Sequence, residues 1–151
     1  MPGMPPDVSS SVYSGGKSRE PFYTQGSVAL PAIGSQAVVV QRAIPYGRNS
    51  FLWKMAVDYV GGGFTEGQGG ILYRVFRNRA LTRSLKGFAT LTASMGTVNN
   101  PVEIPPAQLY ENETLSIVVV NVSVVVAGQQ VVGALVGWDY PRSEEVKSRW
   151  P

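Results

Sequence analysis

Five of the ten carboxylates, Asp58, Glu66, Glu111, Glu113 and Asp139, are the candidates for acid–base chemistry in a 151-residue chain that has no His and no Cys. Without imidazole it lacks the commonest general base and metal ligand; without thiols it can form neither disulfides nor thiolate metal sites. Glycoside hydrolysis by two carboxylates would need a pair about 5–10 Å apart across a cleft. The spacing along the chain selects no such pair, so no enzyme, catalytic residue, metal site or cofactor is expected.

Three other patterns invite a chemical reading. The loop GGGFTEGQGG, residues 61 to 70, has the glycine content of a phosphate cradle. It lacks the Gly-Lys-Ser/Thr ending and a following helix, so a flexible strand connection accounts for it better. Arg74, Arg77, Arg79, Arg83 and Lys86 place five cations in 13 positions with no acid among them. Such a run could face a polyanion, but on a strand Tyr73 and Phe76 fall on opposite faces and build no shared platform for bases. A solvated or subunit-facing arginine edge, which also discourages edge-to-edge pairing, is the expected role, and nucleic acid is not the expected partner. Asn112-Glu113-Thr114 and Asn121-Val122-Ser123 match the glycosylation pattern. No secretory signal is expected from Met1-Pro2-Gly3-Met4-Pro5-Pro6, which has no basic or apolar stretch, so both matches read as accidental. Asn121 is read instead as a bulge or bend in a very apolar strand.

The elements that would position these groups are strands. From Thr114 to Tyr140, TLSIVVVNVSVVVAGQQVVGALVGWDY is too apolar and β-branched to lie exposed. It predicts a hairpin, with a turn at Ala127 to Gln130 and a return strand from Val131. Low charge and the lack of proline would make it an aggregation template at an open edge, so it must be central in its sheet or covered. Phe51 to Val60 alternates cleanly, with Phe51, Trp53, Met55, Val57 and Tyr59 on a core face and Lys54 and Asp58 opposite. Ser27 to Ile33, Gln36 to Ala43, Ile71 to Arg77, Leu85 to Ala93 and a short Val102 to Ile104 edge, ended by Pro105-Pro106, complete the pattern. About eight strands with no helix predict an all-β, antiparallel β-sandwich over residues 27–140. No run of 18 apolar residues offers a membrane span.

Residues 1–26 read differently: 4 Pro, 4 Gly and 5 Ser fill half of them. Extended at about 3.3 Å per residue this arm could reach roughly 85 Å, against a radius of gyration near ~15 Å for the body. Tyr13, Phe22 and Tyr23 are aromatic anchors that a solvated linker would not need. Ordering the arm costs about 1–2 kcal/mol per residue, which calls for a long docking surface on a neighbour. Residues 141–151 are a polar tail in which Trp150 stands out. Charged residues are only 15% of the chain and its net charge is +3, in keeping with a body whose outside is largely covered and which is weakly attracted to anionic surfaces.

A Pro/Gly/Ser arm, about eight strands without helices, then IPPAQLYENETLSIVVVNVS leading into an apolar final hairpin that ends GALVGWDYP resembles, in the order of elements, the jelly-roll head decoration or cement proteins of tailed bacteriophages. The resemblance implies a homotrimer on the capsid exterior, its arm tying neighbouring major capsid protein subunits together, with no catalytic residues. The alternative is a carbohydrate- or receptor-binding sandwich that presents Trp53, Tyr59, Trp138 or Tyr140 to a sugar.

Overall fold

Among the described residues, alternation of apolar and polar residues builds nine strand segments: β1 (Glu20–Ala29), β2 (Gln36–Ala43), β3 (Arg48–Val60), β4 (Ile71–Arg77), β5 (Ala80–Leu81), β6 (Thr90–Leu91), β7 (Val102–Leu109), β8 (Thr114–Asn121) and β9 (Gln130–Pro141). The computed structural model describes residues 19–61, 69–78, 80–81, 90–126 and 128–142, and no α-helix occurs among them. Sheet A has the order β1-β9-β3-β7; sheet B has the order β2-β8-β4-β5, with β6 also pairing β4. All pairings are antiparallel. β5 lies opposite Phe76 and Arg77, and β6 opposite Tyr73 and Arg74, so the two are halves of one interrupted edge strand. First pairs with last, second with second-to-last, and so inward: β1 with β9, β2 with β8, β3 with β7, β4 with β5 and β6. That nesting over two sheets is the jelly-roll arrangement, as the strand pattern and the resemblance led one to expect.

The two sheets enclose Leu52, Met55, Val57, Val131 and Leu135 from sheet A and Ile71, Tyr73, Val75, Leu115, Ile117 and Val119 from sheet B, all at most 1% exposed. The sheets come closest where β2 meets β1 and β9. A register shift between Val38 and Val40 makes Val39 an extra residue that bulges toward sheet A. Only glycine fits opposite: a Cβ on Gly26 would lie 2.2 Å from the Val39 carbonyl oxygen, and one on Gly133 would lie 3.0 Å from Val39 Cγ1.

Four expectations need correction. Thr114 to Tyr140 is not a hairpin, since β8 belongs to sheet B and β9 to sheet A. The chain crosses between sheets at Asn121, the buried last residue of β8, whose Nδ2 donates to the carbonyls of Pro31 (2.8 Å) and Val124 (2.7 Å) while Oδ1 accepts from Val124 N (2.8 Å). Both strands are nonetheless central, β8 between β2 and β4 and β9 between β1 and β3. The first strand begins at Glu20, not Ser27, so residues 20–26 assigned to the arm pair with Asp139 to Gly133. β9 runs to Pro141, into the expected tail. Pro105-Pro106 does not end β7, because that strand is an edge and the prolines sit where its register with β3 shifts, between Glu103 and Ala107, so no ladder donor is missed.

Candidate assembly surface

Strand alternation puts Phe51 on the face of sheet A opposite to that of Leu52, and pairing across β3 and β9 puts Trp138 beside it. Tyr140, two residues along, shares that outer face. Trp53 is the extra residue at the register shift between Leu52 and Lys54, which explains why simple alternation misplaces it on the core face. The rings form one cluster: Phe51 lies 5.6 Å from Trp138 and 5.6 Å from Tyr140, and Trp53 meets Trp138 edge-on at 6.1 Å. Gln108 Nε2 donates to the Tyr140 hydroxyl at 2.8 Å. Two cations lie against the cluster, the Arg19 guanidinium 5.6 Å from the Trp138 ring and Lys54 Nζ 4.5 Å from the Trp53 ring.

Beside the cluster runs an aromatic groove of about 460 Å³ lined by Arg19, Pro21, Phe22, Tyr23, Trp53, Val136, Gly137 and Trp138. Trp138 is only 3% exposed, and its Nε1 has no hydrogen-bond partner among the described residues. The groove lies at the end of sheet A where Glu20 pairs with Asp139. Arg142 is held at the same end by Arg142 N donating to Gly47 O at 2.9 Å and by an ion pair with Glu111. Residues 1–18 and 143–151 therefore join the body at one corner.

Of the expected arm anchors, Tyr13 lies outside the described residues. Tyr23 is 46% exposed at the groove. Phe22 is partly buried against its own subunit's core, with the Arg42 guanidinium 3.9 Å over its ring. Gly137 makes room for this packing, since a Cβ there would meet Phe51 O at 1.9 Å and Phe22 Cζ at 2.9 Å. Behind Phe22, Arg42 pairs with Asp139, which also accepts from Ser50 Oγ, a buried polar link between sheets that the sequence did not reveal.

Of the basic run, the two described members, Arg74 and Arg77, lie on opposite faces of sheet B. Arg74 pairs with Val118 on the outer side of sheet B, while Arg77 pairs with Leu115, whose side chain belongs to the core. Arg77 is bound by Glu113 through Nε at 2.6 Å and Nη2 at 2.5 Å. Arg79, Arg83 and Lys86 lie outside the described residues.

The carboxylates serve as clamps. Burial raises the Glu113 carboxyl pKa, but the hydrogen bond from Arg77, the Tyr110 N–H at 2.6 Å, the Arg77 charge and Asn78 Nδ2 at 3.1 Å more than offset that and hold it below its ordinary value. Glu111 accepts from Gly47 N at 2.8 Å and pairs with Arg142, while its own N–H donates to Asn49 Oδ1 at 3.0 Å. Together Glu111 and Glu113 fasten the turn after β7 to the end of β4, the turn before β3 and the end of β9. Asp58 accepts from the Tyr59 N–H at 2.9 Å. Glu66 lies outside the described residues. No group of three or more Asp or Glu suited to a metal gathers among the described residues.

No family model matches the chain, and no curated protein matches it. Among solved structures it is similar to a chain of the acidic stable capsid structure of Helicobacter pylori bacteriophage KHP30, at 10% identity and a TM-score of 0.49, with 79% of this chain and 87% of that chain covered.

Proposed function

We propose that the chain is a non-enzymatic structural protein of a virion, a decoration protein that binds the major capsid protein on the outside of the head as a trimer and bridges its subunits with the residues before Arg19. The observation that carries the reading is the aromatic groove of sheet A, placed at the corner where both ends of the chain join the body. Jelly rolls serve as capsid, lectin and cupin domains, and the fold alone does not choose among them. Metal chemistry of the cupin kind would have to proceed without any imidazole. Stacking on a sugar needs an open ring, whereas Trp138 is 3% and Tyr140 0% exposed, and Trp53 and Tyr59 are partly covered. Assembly needs an exposed contact, and Tyr23 at the groove is 46% exposed. It also needs reach, and 18 residues extend to about 60 Å. The slight likeness to the KHP30 capsid structure does not carry this reading.

The test is removal of residues 1–18, which leaves β1 whole, followed by co-sedimentation with undecorated capsids. The shortened protein should stay folded and remain in the supernatant; co-sedimentation equal to that of the full chain refutes the bridging role.

A further inference from the structure

We propose that the end of the sandwich carrying Tyr46 and Tyr110 is the face of the folded body that seats on the capsid subunit, with Tyr46 as its anchor; this rests on the decoration reading and gives the body a contact of its own beside residues 1–18. Apart from Val38 and Val102, the large apolar side chains exposed among the described residues sort by type between the two ends. Ile33, Val60, Val122, Val125 and Val126 lie toward the end where Val60 pairs with Gln130, whereas Tyr23, Tyr46 and Tyr110 lie toward the end where Glu20 pairs with Asp139. Tyrosine and arginine recur where protein interfaces hold most of their binding energy, and valine does not. Arg142 adds the second of these at the tyrosine end, its side chain 61% exposed despite the pair with Glu111.

Tyr46 stands on a rigid support. It takes the second position of the turn Pro45-Tyr46-Gly47-Arg48, closed by Arg48 N donating to Pro45 O at 3.2 Å, and Gly47 has the φ of +79° that the third position of a type II turn requires. Gly47 N donates to Glu111 Oε2 at 2.8 Å, and Arg142 N donates to Gly47 O at 2.9 Å. The Tyr110 turn is laced to the same segment, with Ile44 N donating to Glu113 O at 2.8 Å and Asn112 N to Ile44 O at 3.0 Å. The ring at the tip is nevertheless 82% exposed, more than any other large apolar side chain described. A turn fixed on both sides has little backbone order left to lose when a partner encloses that ring. Where the chain continues decides the partner. Residues 1–18 join the body beside Glu20, whose carboxylate lies 3.8 Å from Arg48 of this turn, and residues 143–151 join it at Arg142, bonded to Gly47. The subunit met first by the residues before Arg19 is the one facing Tyr46, and two linked contacts on one partner reinforce each other. Its surface there offers a pocket to the phenol ring and a carboxylate to Arg142.

The experiment titrates full-length Tyr46→Ala against undecorated capsids by co-sedimentation, beside the native protein. Loss of the anchor should weaken binding at least about thirtyfold. Tyr46→Phe, which keeps the ring, should weaken it by about tenfold at most, and Val125→Ala, at a position 75% exposed on the other end, should leave it unchanged. Because the ring meets little of its own chain, Tyr46→Ala should melt within about 2 °C of the native protein. Native-like capsid binding by Tyr46→Ala, or an equal loss from Val125→Ala, overturns the proposal. So does a larger fall in Tm, which would place the ring against its own chain, or a native oligomer that Tyr46→Ala turns into monomers, which would place it between copies. Capsid binding that needs residues 1–18 but survives Tyr46→Ala removes this contact and leaves the decoration role standing; native full-length protein that does not bind capsids removes both.

Discussion

Cutting the chain after Gly26 should destabilise the body, while cutting it after Ser18 should not. The longer deletion strips Glu20 to Gly26 from β9, where they face Asp139 to Gly133. Ladder hydrogen bonds worth about 1 kcal/mol each are lost, but freed residues regain about 1–2 kcal/mol of backbone entropy apiece, so these terms roughly cancel. The Glu20–Arg48 pair, at 3.8 Å with Glu20 mostly exposed, adds nothing measurable. What remains is the Phe22 side chain, about 2 kcal/mol of burial, and the Arg42 contact on its ring, about 1 kcal/mol. A loss near 3 kcal/mol in a domain of this size lowers Tm by roughly 6–12 °C. The cut also bares the edge of β9, an apolar strand able to pair with other chains. Calorimetry and light scattering over a concentration series read both effects. A protein lacking residues 1–26 that melts within about 2 °C of one lacking residues 1–18, at unchanged mass, would refute the assignment of β1 as part of the body.

Asp139→Asn should cost about 3–5 kcal/mol, because it leaves Arg42 without its charge partner where the two side chains are 7% and 18% exposed; a double change to Arg42→Met with Asp139→Leu should cost less, and urea midpoints compare the two. Gly137→Ala should destabilise by at least about 3 kcal/mol or prevent folding, since the Phe51 carbonyl 1.9 Å from the new Cβ is backbone and cannot swing away; a soluble variant with an unchanged midpoint would contradict the packing. Because the Glu113 carboxyl is held below its unfolded value, its clamp is fully present above about pH 4.3 and is lost as pH falls through the folded value. The stability gap between the native protein and Glu113→Gln should therefore be constant near neutrality and close in acid; a gap that widens as pH falls would have the wrong sign.

Strand identity was legible because period-2 alternation is a local property, and the stretches around Gln36, Phe51, Ile71 and Thr114 did become strands. Pairing was less so. Ala127 to Gln130 carries the same turn signal whether the chain doubles back in one sheet or crosses to the other, and only the buried hydrogen bonds of Asn121 distinguish the two. Tyr23 to Val28 alternates along β1, but Gly26 closes a Pro/Gly/Ser-rich stretch that reads as an arm, since the need for a glycine there comes from Val39 in the other sheet. One extra residue at Trp53 reversed the face of a ring that simple counting placed in the core. The candidate surface was half visible: Phe22, Tyr23, Trp53 and Trp138 were all singled out as aromatics, but for three separate purposes, and their meeting in one groove depends on β1 lying beside β9. The arginine run looked continuous because the linear sequence hides that Arg77 faces inward to Glu113 while Arg74 faces outward.

The nesting of β1 against β9 also bears on how the protein is made. Strand β9, one of the two inner strands of sheet A, follows every other described strand along the chain, and Glu20 must wait for Asp139, so sheet A cannot be complete on the ribosome until residues 130–141 have emerged. Contacts so distant along the chain close slowly. During that delay the apolar β8 is already synthesised, and chaperone demand should peak between its appearance and that of the final strand.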